Sequence, residues 1–279
     1  VLLALDARNR SISLGFRGPE GWVAKRRLAS VPPRSADEYE FLLRSFAGDL
    51  GETIDEAWMS SVVPSLVRPL REAVRGAFGV DCRTVGPGVR TGLRIRTDIP
   101  SEVGSDLVCA AVAAADFARG PAVVVHFDAA VAFSALGKSG DFLGAAIAPG
   151  FYTGIESLRA TAALLPEVPL AQYAAGAFEG GRQGAEGVPS GFGPAIGRNT
   201  IQAVRAGMTL GYAGLVERLA KAQAEELVAL GEASSLEEVS LLGSGGEEGQ
   251  AIFAELGRGR FVPDLALEGL SLIAARSGR

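Results

Sequence analysis

Few side chains in this 279-residue sequence can do acid–base or metal chemistry. The one histidine, His126, sits in an apolar run, Val123-Val124-Val125-His126-Phe127. It reads either as a base or metal ligand, or as a hydrogen-bonded core residue, the commoner fate of a lone histidine on such a strand. On the first reading Asp128 is its natural partner, because residues i and i+2 share a face of a strand. One histidine leaves little material for a Ser-His-Asp triad or a His-rich metal site. The two cysteines, Cys82 and Cys109, are too few for a disulfide framework and lack CxxC spacing. They read as buried free thiols in a reducing compartment. Asp6 follows the apolar opening Val1-Leu2-Leu3-Ala4-Leu5, and Arg8 with Arg10 makes a small basic cluster behind it. Asp106 falls in the first turn of an Ala-rich helix, where the helix dipole favours an acid.

Strands and helices must position these residues. Strands are predicted at Val1 to Leu5, Ser11 to Phe16, Gly21 to Leu28 and Glu56 to Val63. Helices are predicted at Ala36 to Ala47, with Ser35 as N-cap, at Pro64 to Phe78 and at Ser105 to Arg119. A second strand-rich opening follows: Val123 to Phe127, then Ala130 to Leu136, with a hairpin turn at Gly137 to Gly140. Helices are expected at Tyr152 to Leu164, Asn199 to Leu230, Glu247 to Leu256 and Leu267 to Ala275. A short strand, Glu238 to Leu242, precedes a Gly243-Ser244-Gly245-Gly246 turn. The Gly-rich stretch Gly176 to Gly193 reads either as a loop over a cleft or as a tolerated insertion.

The order β-β-β-α-β-α, then β-β with helices and a strand, is a loosely repeated α/β unit with no sequence repeat of fixed period. The expected architecture is two similar lobes with a cleft between them, residues 1–119 and 120–279, divided near Gly120-Pro121. Hydrophobic residues at 48% and charged residues at 21% are those of a soluble globular protein. The net charge of −5 argues against a nucleic-acid partner, which would need a basic face. The short Lys25-Arg26-Arg27 cluster reads as a solvated strand end. No uncharged run approaches the ~18 residues of a membrane span, and the apolar opening is too short for a secretory segment. A cytoplasmic protein with no membrane partner is expected.

Four segments, in order, resemble the type III pantothenate kinase family of the acetate and sugar kinase/Hsc70/actin superfamily. They are Gly86-Pro87-Gly88-Val89-Arg90-Thr91-Gly92-Leu93 with Asp98, Pro100, Glu102, Val103, Gly104 and Asp106; Leu143-Gly144-Ala145-Ala146-Ile147-Ala148-Pro149-Gly150 with Thr161-Ala162 and Leu165-Pro166; Ile196-Gly197-Arg198-Asn199-Thr200 with Gly207 and Gly211; and Leu265-Ala266-Leu267-Glu268-Gly269-Leu270. The resemblance covers almost the whole chain. It implies an α/β fold of two actin-like (ribonuclease H-like) lobes, a homodimer, and ATP-dependent phosphorylation of pantothenate at the start of coenzyme A synthesis.

The resemblance also assigns roles. Phosphoryl transfer needs a cradle for the polyphosphate, neutralising cations and an oriented hydroxyl. The first phosphate loop of the family resembles D-x-G-N-T and is here Asp6-Ala7-Arg8-Asn9-Arg10. Asp6, as magnesium holder, and Asn9 survive, while Arg8 replaces a glycine and Arg10 a threonine. The two guanidiniums either bind phosphate themselves or mark a loop that has lost its ligand. The second loop, D-x-G-T-A-T-T in the family, is His126-Phe127-Asp128-Ala129-Ala130-Val131-Ala132. The aspartate of the monovalent-cation site has become His126, so that site is expected to be lost. Asp128 puts a carboxylate where a phosphate should approach.

On the substrate side the family pattern Y-D-N-P-x-E-V-G-A-D-R is matched by Thr97-Asp98-Ile99-Pro100-Ser101-Glu102-Val103-Gly104-Ser105-Asp106-Leu107. Asp106 corresponds to the catalytic base, with Gly104, Ser105 and Thr200 as substrate-binding residues. The family's tyrosine and arginine have become Thr97 and Leu107. Ser244-Gly245-Gly246 stands where the family has T-G-G near the adenine. Two outcomes stay open. One is a divergent kinase of pantothenate or a related small alcohol, using ATP and Mg2+. The other is an inactive paralogue serving as regulator or as partner subunit of an intact type III pantothenate kinase.

Overall fold

The computed structural model describes residues 1–48, 50–51, 53–162, 165 and 194–277. The Gly-rich stretch 176–193 lies outside the described residues. The chain forms two compact units, Val1–Phe117 with Gly140–Phe142 and Asp264–Arg279, and Ala118–Ser139 with Leu143–Pro263. Among the described residues no helix is long and apolar enough to cross a membrane.

The first unit holds β1 (Leu2–Ala7), β2 (Ser11–Gly18), β3 (Gly21–Ala29), α1 (Ala36–Gly48), β4 (Glu56–Ser61), α2 (Pro64–Phe78), β5 (Cys82–Thr84) and α3 (Ser105–Ala118). The sheet order is β3-β2-β1-β4-β5, a meander of three strands extended by two parallel ones. Alternation along β1 sorts its side chains to two faces. Leu3 and Leu5 join Tyr39 and Leu43 of α1 and Leu66 and Leu70 of α2 in one core. Ala4 faces the other way, into a core with Val108, Cys109 and Val112 of α3. Each fully buried leucine contributes about 1.5–3 kcal/mol of transfer free energy. α2 begins with Pro64, whose missing N–H costs nothing there, and ends at Gly79 with φ 72°. α1 is closed by a capping box: the amide of Glu38 donates to Ser35 Oγ at 3.3 Å, and the amide of Ser35 donates to the Glu38 carboxylate at 2.8 Å.

The second unit holds β6 (Ala122–Phe127), β7 (Ala130–Leu136), most of β8 (Phe142–Pro149), α4 (Phe151–Thr161), α5 (Thr200–Ala229), β9 (Ser240–Gly245), α6 (Glu247–Leu256) and β10 (Arg260–Phe261). Its sheet order is β10-β9-β6-β7-β8. This is the first order again, a three-strand meander extended by two parallel strands. Val123, Val125 and Phe127 of β6 build the core with Phe151 and Ile155 of α4, Tyr212 and Val216 of α5 and Phe253 of α6. The last helix, α7 (Leu265–Ser277), packs within the first unit, where Leu267, Leu270 and Ile273 complete the core over α3.

Three expectations need correction. Gly243 to Gly245 are the end of β9, not a turn, because residues Leu242 and Gly243 pair with β10 and Gly243 to Gly245 with β6. Lys25 to Arg27 lie inside the edge strand β3, and Lys25 and Arg27 pair with Asp264 at 3.6 and 3.2 Å. The strands β5, β8 and β10 were not anticipated as strands.

Candidate active site

The first unit carries a polar row across the middle of its sheet. Asp6 on β1 stands opposite Ser13 of β2 and Ser60 of β4, and all three side chains are buried. Directly opposed residues share a sheet face, and for Asp6 that is the face of Ala4, turned towards α3. Ser60 Oγ lies 3.1 Å from Ser105 Oγ. Ser105 opens α3; its hydroxyl accepts from the Ser61 amide at 3.0 Å and donates to the Ser61 carbonyl at 3.1 Å, tying the helix start to β4.

Asp106 is the second residue of α3, at the positive end of the helix dipole. A Cβ added to Gly104 would meet Asp106 Oδ1, so the carboxylate lies over the glycine. Cys109 senses the whole group. Burial pushes its thiol well above the usual range; the charges of Asp6 and Asp106 push it further, against a hydrogen bond from Ser60 and the charge of Arg8. Asp6, Arg8, Ser60 and Asp106 thus all act on one thiol, and Ser105 joins the group through Ser60.

Arg8 does something its sequence position does not announce. Its Nε donates to Asp6 Oδ2, making an ion pair in which Asp6 is wholly buried and Arg8 is 5% exposed. Its backbone is not left-handed, since Arg119 is the non-glycine residue with positive φ among those described. An arginine therefore takes the place of the family's glycine without left-handed strain. Asn9 and Arg10 are exposed in the turn between β1 and β2. Ser30 buttresses that turn: its hydroxyl donates to the Arg8 carbonyl and its amide to the Arg10 carbonyl at 3.1 Å. Sequence reasoning missed Ser13, Ser30 and Ser60. A serine inside an apolar strand, as in Trp58-Met59-Ser60, is the only signal available for two of them.

Magnesium on Asp6 can be tested against this geometry. One carboxylate oxygen accepts from Arg8, and the other, Oδ1, is closed to solvent with no hydrogen-bond partner among the described residues. Magnesium keeps several waters and wants an open octahedral shell. A guanidinium beside the same carboxylate repels a cation by about 4 kcal/mol per unit charge at 4 Å and an effective dielectric of 20. The arrangement does not fit a divalent ion on Asp6. No group of three or more metal-ligating side chains occurs among the described residues.

In the second unit, His126 of β6 occupies the position that Asp6 has in β1, next to last in the strand. It is buried, between Ala132 of β7 and Ser244 of β9. The Ser244 hydroxyl donates to the Pro263 carbonyl at 3.1 Å. Gly245 has φ 125°, and a Cβ there would come within 2.2 Å of the Phe127 carbonyl, so only glycine suits this end of β9. Gly246 caps α6, and the Glu248 carboxylate lies against it. The turn Asp128-Ala129 is held by Gly150, whose amide donates to the Ala129 carbonyl at 2.9 Å, and by the Thr153 hydroxyl at 2.7 Å. Thr200 is exposed at the start of α5, behind Asn199, whose side chain accepts from the Gln202 amide at 2.9 Å.

Comparison with known proteins gives a consistent result. A family model described as type III pantothenate kinase matches residues 2–222. The type III pantothenate kinase of Streptomyces coelicolor is 32% identical over 99% of this chain and 98% of its own length. That of Moorella thermoacetica is 34% identical over 99% and 100%. Among solved structures, a protein described as a Baf-family transcriptional activator from Campylobacter jejuni aligns with a TM-score of 0.55 at 14% identity, covering 99% of this chain and 98% of its own. A protein described as a 2-dehydro-3-deoxygalactonokinase from Sinorhizobium meliloti aligns with a TM-score of 0.53 at 17% identity, covering 99% and 96%. These structural likenesses show the fold, which is α/β and actin-like, as expected from the sequence.

Proposed function

The chain belongs to the type III pantothenate kinase family, and we propose that it transfers the γ-phosphoryl group of ATP to pantothenate, slowly when it acts alone. Kinases of this family use ATP and a divalent metal. The observation that carries the reading is the Gly104–Ser105–Asp106 corner, where an acid stands at a helix start over a glycine and beside the buried Asp6 row. In this reading Asp106 accepts the proton of the attacking hydroxyl, and Gly104, Ser105 and Thr200 hold the substrate. The segment Ser244-Gly245-Gly246 serves the adenosine, and Asn9, Arg8 and Arg10 serve the phosphates. Slow turnover follows from the second unit, where His126 stands in place of the family's aspartate and Asp128 sets a negative charge where the family pattern has a glycine. A charge-assisted hydrogen bond lost at such a site is worth roughly 1.5–3 kcal/mol, or about 10- to 150-fold.

A second reading is favoured by the Arg8–Asp6 pair itself, which neutralises the Asp6 carboxylate without any ligand. The chain is then a partner subunit, a homodimer being replaced by a heteromer with an intact type III pantothenate kinase. The two readings part in a calorimetric titration of magnesium ATP, with and without pantothenate, followed by a turnover assay. Binding that pantothenate tightens, with measurable 4′-phosphopantothenate, supports the kinase. No heat and no product sink it, and activity gained only on mixing with the intact enzyme supports the partner.

A further inference from the structure

Asp6 and Arg8 form a closed ion pair inside the first unit, and a kinase that loads a metal on Asp6 has no use for it. The pair is built rather than accidental. The Arg8 amide donates to the Ser11 carbonyl at 3.0 Å, and the Arg8 carbonyl accepts from the buried Ser30 hydroxyl, so the backbone on both sides of the side chain is fixed. The side chain is nine-tenths buried and lies against a carboxylate with no exposure at all. Arginine is permanently charged and matches oxyanions through a planar fork of donors. A cation for Asp6 is therefore already present, covalently attached and two residues along the chain.

We infer that Arg8 takes the place of a divalent cation at Asp6, so that the β1–β2 turn, with Arg10 exposed in it, offers guanidinium charge to a phosphate group with no metal ion held on Asp6. That the phosphate is ATP's rests on the kinase reading; the exclusion of the metal does not. The exclusion is read with Mn2+ alone, titrated into the full chain and followed by electron paramagnetic resonance. The wild type is expected to show no Mn2+ site that Asp6→Asn removes. Arg8→Gly should gain one, tightening Mn2+ binding by about tenfold or more, and the double variant Asp6→Asn/Arg8→Gly should lose it again. Should Arg8→Gly fail to fold by circular dichroism, Arg8→Gln keeps the bulk, removes the charge and serves in its place. A wild-type Mn2+ site lost in Asp6→Asn overturns the inference, and so does a folded Arg8 variant that gains none. A separate arm, ADP binding in EDTA against ADP binding in magnesium, should differ by less than about twofold in the wild type and become magnesium-dependent in the Arg8 variant. Absence of turnover with pantothenate would end the kinase reading and leave the Mn2+ result standing.

Discussion

A Cβ on Gly104 would stand 2.6 Å from Asp106 Oδ1, so the carboxylate proposed as the base rests on a surface that only glycine leaves open. The nearer obstacle is the end of a flexible side chain, with the Val62 methyl at 3.3 Å behind it. Gly104→Ala should therefore fold normally and displace Asp106. If Asp106 is the base, kcat should fall by about 10- to 100-fold, since small misplacements of reacting groups cost that much. Steady-state kinetics with a thermal melt on the same sample separates the two effects.

The Asp6–Arg8 pair makes a stability prediction independent of any ligand. Breaking a buried pair by removing one partner leaves an uncompensated charge, at about 3–5 kcal/mol. Asp6→Asn and Arg8→Met should each destabilise by that order. The double variant should recover much of the loss, because it leaves no uncompensated charge in the core. Urea denaturation of the four proteins gives the coupling directly.

The thiols set an alkaline limit. Burial pushes Cys82 up to about 12 and Cys109 well above the usual thiol value. A raised folded pKa means that the unfolded chain releases its proton first. Stability is then undisturbed below the unfolded value of about 9 and falls as pH climbs from there towards 12. Tyr212, pushed to about 12 by burial, adds to the same loss. Melting temperatures across this range should show the decline, and a disulfide reagent at pH 8 should label neither cysteine until denaturant is added.

Helix α1 depends on its capping box. Ser35→Ala removes the acceptor for the Glu38 amide and should cost about 0.5–2 kcal/mol. The Ser35 amide, then its hydroxyl, hold the Glu38 carboxyl below its usual value. A depressed folded pKa gives stability that is present above the ordinary carboxylate range and lost as pH falls through the lowered value. The box should therefore open in acid, and the pH dependence of the melt should flatten in Ser35→Ala.

Much of this fold is legible before any coordinates. Pro64, the amphipathic spacing behind it and Gly79 delimit α2 to the residue. Asp106, as a first-turn acid, marks the start of α3, and Asn199 caps the start of α5. β8 is hidden because Gly144, Ala145, Ala146 and Ala148 carry almost no strand propensity, and its pairing with β7 decides the matter. The two-residue β10 is too short to leave a pattern. In the candidate site, the individual acids and arginines can be picked out one at a time. That Arg8 turns back onto Asp6 cannot, because a side chain's direction depends on what fills the space around it. Nor can Ser30, which acts through a turn twenty residues away.

The two sheets share one order, and their first hairpins, β1–β2 and β6–β7, are the same part used twice. Each is closed by main-chain bonds, Arg8 N to Ser11 O and Asp128 N to Ala130 O, both 3.0 Å long. The backbone secures each turn in the same way, while the side chains it carries have opposite signs, an arginine in one copy and an aspartate in the other. A duplicated architecture of this kind separates the two loops, so that the ligand chemistry of one half can change while the other half keeps its own.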